Sequence, residues 1–207
     1  MKVVALAALV LVFTLAGCGT SGDAEDVEGT PEPITVTVTE TVAETETQTE
    51  AEVECSTAGL RLTLPEQALP AAVADVRERV FGAAVACDYN VLEEIALEKG
   101  EGFTFSYGGG TSAAEHWREL EASGADEPMR ILATILTLPY TRNETGSYAW
   151  PTAYQESPSD ADWQALVDAG ISTQEQVDLM QSQQTGYLGY RTAITPDGDW
   201  QFFVAGD

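Results

Sequence analysis

"GYLGYRTAITPDGDWQFFVAGD", residues 186–207, holds two alternating apolar runs on either side of Pro196-Asp197-Gly198. Alternation with a period of two puts one set of side chains on one face of a strand. Asp-Gly supplies the positive backbone angles that tight hairpins need. The stretch therefore predicts a C-terminal β-hairpin, and the preceding chain must supply what it packs against.

Most of that chain reads as helix. From Leu69 to Ala86, Pro70 sits where a first-turn proline is tolerated, and Val73, Val76, Val80 and Ala84 recur at helical spacing. Asp88 can cap a second helix through Leu97, with Gly100 just past its end. "GFTFSYGGG", residues 102–110, predicts an alternating aromatic strand that runs into a glycine loop. Ser112-Ala113-Ala114-Glu115 is a capping-box pattern for a helix from Ala113 to Glu121, and Pro128 opens an apolar helix to about Leu138. A short strand at Tyr148 to Trp150 stops at Pro151. Two more helices follow, one from Asp160 to Asp168 and one from Ser172, whose Ser-Thr-Gln-Glu start again has capping-box chemistry. Helices first and a hairpin last, with few β-α-β alternations, predict an α+β fold: several helices packed on a small antiparallel sheet.

The N-terminal region has a different character. Lys2 is the only charge before residue 23, and Val3 to Ala16 is almost wholly apolar. A basic residue, a short apolar core and small residues at its end predict a secretory signal peptide over residues 1–17. The core is shorter than the roughly 20 apolar residues of a membrane span. Leu15-Ala16-Gly17-Cys18 resembles the lipobox of bacterial lipoproteins. The resemblance implies that the Cys18 thiol receives a diacylglycerol and becomes the first residue of the mature, acylated protein, anchored to the extracytoplasmic face of the cell membrane. From Gly19 to Glu54 there is no lysine, arginine or aromatic residue, and eleven residues are acidic. Such a segment cannot bury enough apolar surface to offset its ordering entropy, so residues 18–54 read as a lipidated cysteine and a disordered acidic tether. Fully extended, it would reach on the order of 120 Å.

Residues 55–207 have the size of one globular domain. They contain Cys55 and Cys87, an even pair in an exported segment, which predicts a disulfide pinning the start of the domain to the end of its first helix. The formal net charge of the whole chain is -25. The domain has 23 acidic residues against eight lysines and arginines, which disfavours nucleic acid and anionic lipid surfaces as partners. Either a basic partner or a generally acidic, salt-adapted proteome accounts for that balance.

"AAVACDYNVLEEIA", "FTFSYGG", "HWRELEASG", "SYAWPTAY" and "GYRTAITPDGDWQFFVAGD" together resemble an uncharacterised group of exported bacterial lipoproteins. That resemblance implies export and transfers no catalytic residue. A weaker similarity is to the NTF2-like cone fold, with "ACDYNVLEEIA" as an early helix pair and the hairpin as closing strands. The two helices expected between residues 112 and 138 depart from the cone pattern.

Catalytic signals are sparse. His116 is the sole histidine, and its neighbour Glu115 points about 100° away on a helix. No HExxH zinc pattern exists, and Ser106 lacks the spacing of a nucleophile elbow. Asp160 with Asp162, or Asp197 with Asp199, could contribute to a calcium site, but neither pair has the glycine and distal glutamate of an EF-hand. No metal and no cofactor is therefore expected. The set Tyr148, Trp150, Tyr154, Tyr187, Tyr190 and Arg191, with Trp200, offers aromatic faces and a carboxylate clamp suited to a wall fragment, sugar or peptide. Burial statistics favour the plainer reading, in which the same rings fill one face of the sheet. These features point to a lipid-anchored envelope protein with a non-catalytic ligand- or partner-binding domain. The alternative is an envelope hydrolase using carboxylates or His116.

Overall fold

The computed structural model describes residues 55–100 and 102–206; the signal segment, Cys18 and the tether lie outside the described residues. Six helices pack on a four-stranded antiparallel sheet, the α+β architecture expected from the sequence. The helices are α1 (Ala71–Val85), α2 (Tyr89–Leu97), α3 (Ala113–Ser123), α4 (Pro128–Ile135), α5 (Asp160–Asp168) and α6 (Gln174–Gln183). The strands are β1 (Thr141–Arg142), β2 (Tyr148–Trp150), β3 (Arg191–Ile194) and β4 (Trp200–Val204), and they neighbour one another in chain order.

The helix boundaries follow local chemistry. Asp88 accepts the Val91 N–H and Ser112 accepts the Glu115 N–H, so both N-caps form, although the capping box expected at Ser112 lacks its reciprocal Glu115 bond. The capping box of α6 sits one residue later than the Ser172 pattern suggests: Thr173 caps, and Gln176 returns the bond. α4 stops before Leu138 because that residue precedes Pro139, whose ring disfavours a helical predecessor. The expected strand at residues 102–107 reduces to one parallel bridge, Thr104 to Phe202. Phe103 still reaches Trp200, at 4.6 Å between ring centroids. Beyond Phe105 the chain turns away, with the Ser106 hydroxyl accepting the Gly108 N–H, so no ladder can continue.

The principal core lies between the helices and one face of the sheet. Val73, Val76, Val80 and Ala84 of α1 are all buried there, as their spacing required. Tyr148, Trp150, Ile194, Trp200 and Phe203 come from the sheet. A second, smaller cluster of Ala153, Trp163, Leu166, Val177 and Tyr187 forms around α5 and α6. Every residue of β2 and β3 is buried, so these strands are covered on both faces rather than one. In the hairpin turn, Gly198 has φ 85°, and a Cβ there would come within 2.9 Å of the Ala72 carbonyl. The turn is thus held against α1 as well as bent by its own residues.

Cys55 and Cys87 are joined by a disulfide, as expected. The bridge organises its surroundings. Thr57 donates to the Val85 carbonyl, and Ser56 donates through both its N–H and its hydroxyl to the Glu121 carboxylate. Glu121 also accepts the Met129 N–H, while the Ser56 hydroxyl accepts the Arg130 N–H. Two N–H groups at the start of α4 are therefore satisfied by Glu121 of α3 and by the distant Ser56, in place of a local cap.

Candidate ligand-binding cleft

The alternation that makes β2 and β3 strands also divides the aromatic set. Tyr148 and Trp150 face the principal core. Trp150 is fully buried, its indole N–H donating to Gln67 and the Arg77 guanidinium lying 5.7 Å from its ring. Trp200 is buried beside them and donates to the Thr192 hydroxyl. None of these three rings offers a face to a ligand. Tyr148 and Trp150 are therefore corrected from candidate binding residues to core residues.

Tyr154, Tyr187 and Arg191 do come together, in an open cleft of about 710 Å³. Its walls are the β1–β2 turn, the segment after the short 3-10 turn Thr152–Tyr154, and the loop between α6 and β3. Arg191 is buried at the base. It donates to the Gly189 carbonyl at 3.3 Å and the Tyr107 hydroxyl at 3.2 Å, and its guanidinium lies 5.1 Å from the Tyr154 ring. Arg191 thus orders the cleft wall more than it presents charge to solvent. Tyr187 is buried against Trp163 and donates to the Tyr190 carbonyl. Gly189 is required beside it, since a Cβ there would lie 2.3 Å from the Tyr187 hydroxyl oxygen.

Sequence reasoning missed several cleft residues. Arg142 is exposed at the rim, stacked 4.2 Å over Tyr148, its cross-strand partner. Asn143, Gln155 and Gln184 add carboxamides, while Glu144 and Glu156 add carboxylates. No local spacing marks these residues, because they come from three separate segments. The resulting wall can donate and accept hydrogen bonds, presents a half-exposed phenol ring and one exposed guanidinium, and has mixed charge. That chemistry suits a polar ligand with hydroxyl, amide or carboxylate groups.

Tyr190 lies on the far side of this segment, 5.0 Å from Phe203 between ring centroids. Burial raises the phenol pKa of both Tyr187 and Tyr190 above the usual value, and at Tyr190 the Asp126 carboxylate adds to the rise. Above pH of about 10 the unfolded chain releases these phenolic protons while the native chain keeps them. Stability contributed by the two groups is complete below that pH and declines as pH rises through it. Alkaline titration should show two tyrosines ionising only together with loss of native circular dichroism. Ionisation of all seven in the intact fold would contradict this.

The residues of the hydrolytic alternative are dispersed. His116 is half-buried, 5.4 Å from the Phe105 ring, in a small pocket with Ser106, Tyr107, Trp117 and Tyr190 that no carboxylate lines. Asp162 is occupied by Ser159 and Gln155, and Asp197 by Thr195. Among the described residues no group of three His, Cys, Asp or Glu side chains is placed to hold a metal ion. None of their helices is long and apolar enough to cross a membrane.

Compared with known proteins, the chain matches no family model, no curated protein and no solved structure.

Proposed function

We propose that this protein is a lipid-anchored envelope protein whose domain binds a polar ligand, such as a wall fragment carrying sugar and carboxylate groups, without catalysing its conversion. The observation that carries the ligand-binding reading is the convergence of Tyr154, Arg142 and three carboxamides in one cleft, backed by the buried Tyr187 and Arg191. The anchor rests on the lipobox-like Leu15-Ala16-Gly17-Cys18, and the extracytoplasmic placement is supported by the signal-like segment before it and by the disulfide. The acidic tether would raise the effective concentration of the domain near membrane-bound material.

The test has two arms. Expressed in a bacterium, the chain should incorporate labelled palmitate, and Cys18→Ala should not; equal labelling of both would remove the anchor. In a thermal-shift screen against wall glycopeptides, acidic sugars and short peptides, a ligand at about 100 times its dissociation constant adds roughly 2.7 kcal/mol, a shift of several degrees. Tyr154→Ala and Arg142→Ala should each weaken the hit roughly tenfold, about 1.4 kcal/mol of lost contact. A hit unaffected by both variants would move the site elsewhere.

A further inference from the structure

Adjoining the cleft, on the other side of residues 187–190, is a second depression of about 350 Å³ with a different lining. Ile131 of α4, Ile171, and Leu179 and Met180 of α6 make it apolar, and Asp126 with Tyr190 closes one end. Gln176, Leu179 and Met180 stand at helical spacings of three and four, so α6 presents them along one side. Leu179 is 54% exposed, belongs to neither core cluster, and is the exposed large aliphatic residue that lines this groove. The groove is firmly backed, since the Gly206 N–H donates to the Leu188 carbonyl and the Leu188 N–H points at the Met180 sulfur.

The one charged side chain that lines the groove is acidic, Asp126. α6, which forms one wall, carries no lysine or arginine. Glu175 and Asp178 are exposed on α6 itself, and Arg130 near the start of α4 is already paired with Glu127. A second copy of this chain would bring another acidic domain against this surface, and like charges at close range oppose association. A basic partner is favoured by the same field.

We infer that the groove between α4, α6 and residues 187–190 docks a basic amphipathic protein segment, an aliphatic or aromatic side chain entering against Leu179 and Met180 and an adjacent lysine or arginine meeting Asp126. This surface lies beside the polar cleft and takes a different chemical class, so its test does not depend on the cleft's ligand.

The experiment is fluorescence anisotropy on the purified full chain with three dye-labelled short peptides: alternating Leu and Lys, Leu and Glu, and Ser and Lys. The Leu/Lys peptide should bind, and the other two should bind roughly tenfold or more weakly, since each lacks one half of the match. Leu179→Ser and Asp126→Asn should each reduce Leu/Lys binding by about the same factor. Leu97→Ser, which alters a comparably exposed leucine outside the groove, should leave it unchanged. Leu179 is exposed, so its variant keeps the fold, and an unchanged melting temperature verifies this. Equal binding of the Ser/Lys peptide would reduce the interaction to bulk charge and overturn the inference. So would equal losses at Leu97 and Leu179, or self-association abolished by Leu179→Ser.

Discussion

Replacing Cys55 and Cys87 by serine is expected to lower stability by about 3 to 4 kcal/mol, the chain-entropy value for a loop of this length. The two residues are 32 positions apart, and the intervening segment contains all of α1. Once the crosslink is gone, the unfolded chain gains the freedom that the loop withheld. The native state also loses order, because residue 55 positions Ser56, which ties Glu121 to the start of α4. For a domain near 150 residues, the melting temperature should fall by roughly 10 °C. Addition of a reductant to the wild-type chain should produce the same fall, and should do nothing to the double variant. A change below about 1 °C in either experiment would show that the bridge adds no stability.

The second large effect is expected at Arg77, on the buried side of α1. Its guanidinium donates twice to the Leu136 carbonyl, at 3.1 and 2.7 Å, and once to the Pro65 carbonyl, at 3.0 Å. It therefore terminates α4 and secures the extended segment that leads into α1. Burial lowers its pKa, the sign of an incompletely compensated desolvation. A cation at a helix C-terminus recovers part of that cost. Arg77→Met keeps the stem's packing but leaves two carbonyls without their donor, at about 1 to 3 kcal/mol for each buried group. Loss of roughly 3 kcal/mol is the expected net, once relief of the guanidinium's desolvation is subtracted. Arg77→Lys should fall between, because one ammonium lacks the planar fork that serves both acceptors. Urea denaturation decides the matter: a methionine variant as stable as the wild type would show that the hydrogen bonds only offset desolvation.

Arg77 also illustrates what the sequence withholds. At spacing one from Val76 it reads as a helix-surface charge, and only the crossing of α1 by α4 and by residues 60–69 turns that surface inward. Glu121 is similar: its role as acceptor for Ser56 and Met129 depends on a disulfide and a helix pairing that no window of sequence contains. By contrast, the α1 stripe of Val73, Val76, Val80 and Ala84, the Ser112 cap and the Asp197-Gly198 turn were legible at once. Each is decided by residues within one or two turns of each other.

The aromatic candidates mark the boundary between the two kinds of knowledge. Composition and spacing identified Tyr148, Trp150, Tyr154, Tyr187, Tyr190 and Arg191 as a set, and left open whether they bind or merely fill. The structure sends Tyr148 and Trp150 to one side of the sheet and Tyr154, Tyr187 and Arg191 to the other, while Tyr190 packs on Phe203 and lines the apolar groove. It then completes the cleft with Arg142 and carboxamides drawn from separate segments. By itself the sequence pointed to the α+β class, the helices, the hairpin and the Cys55–Cys87 pairing, because caps, periodicity, turn residues and one cysteine pair within residues 55–207 are local or self-limiting signals. Only the tertiary structure decided which side chains share a cavity. That depends on which face of a buried strand each residue takes and which distant loop closes over it, and those are set by packing across the whole chain.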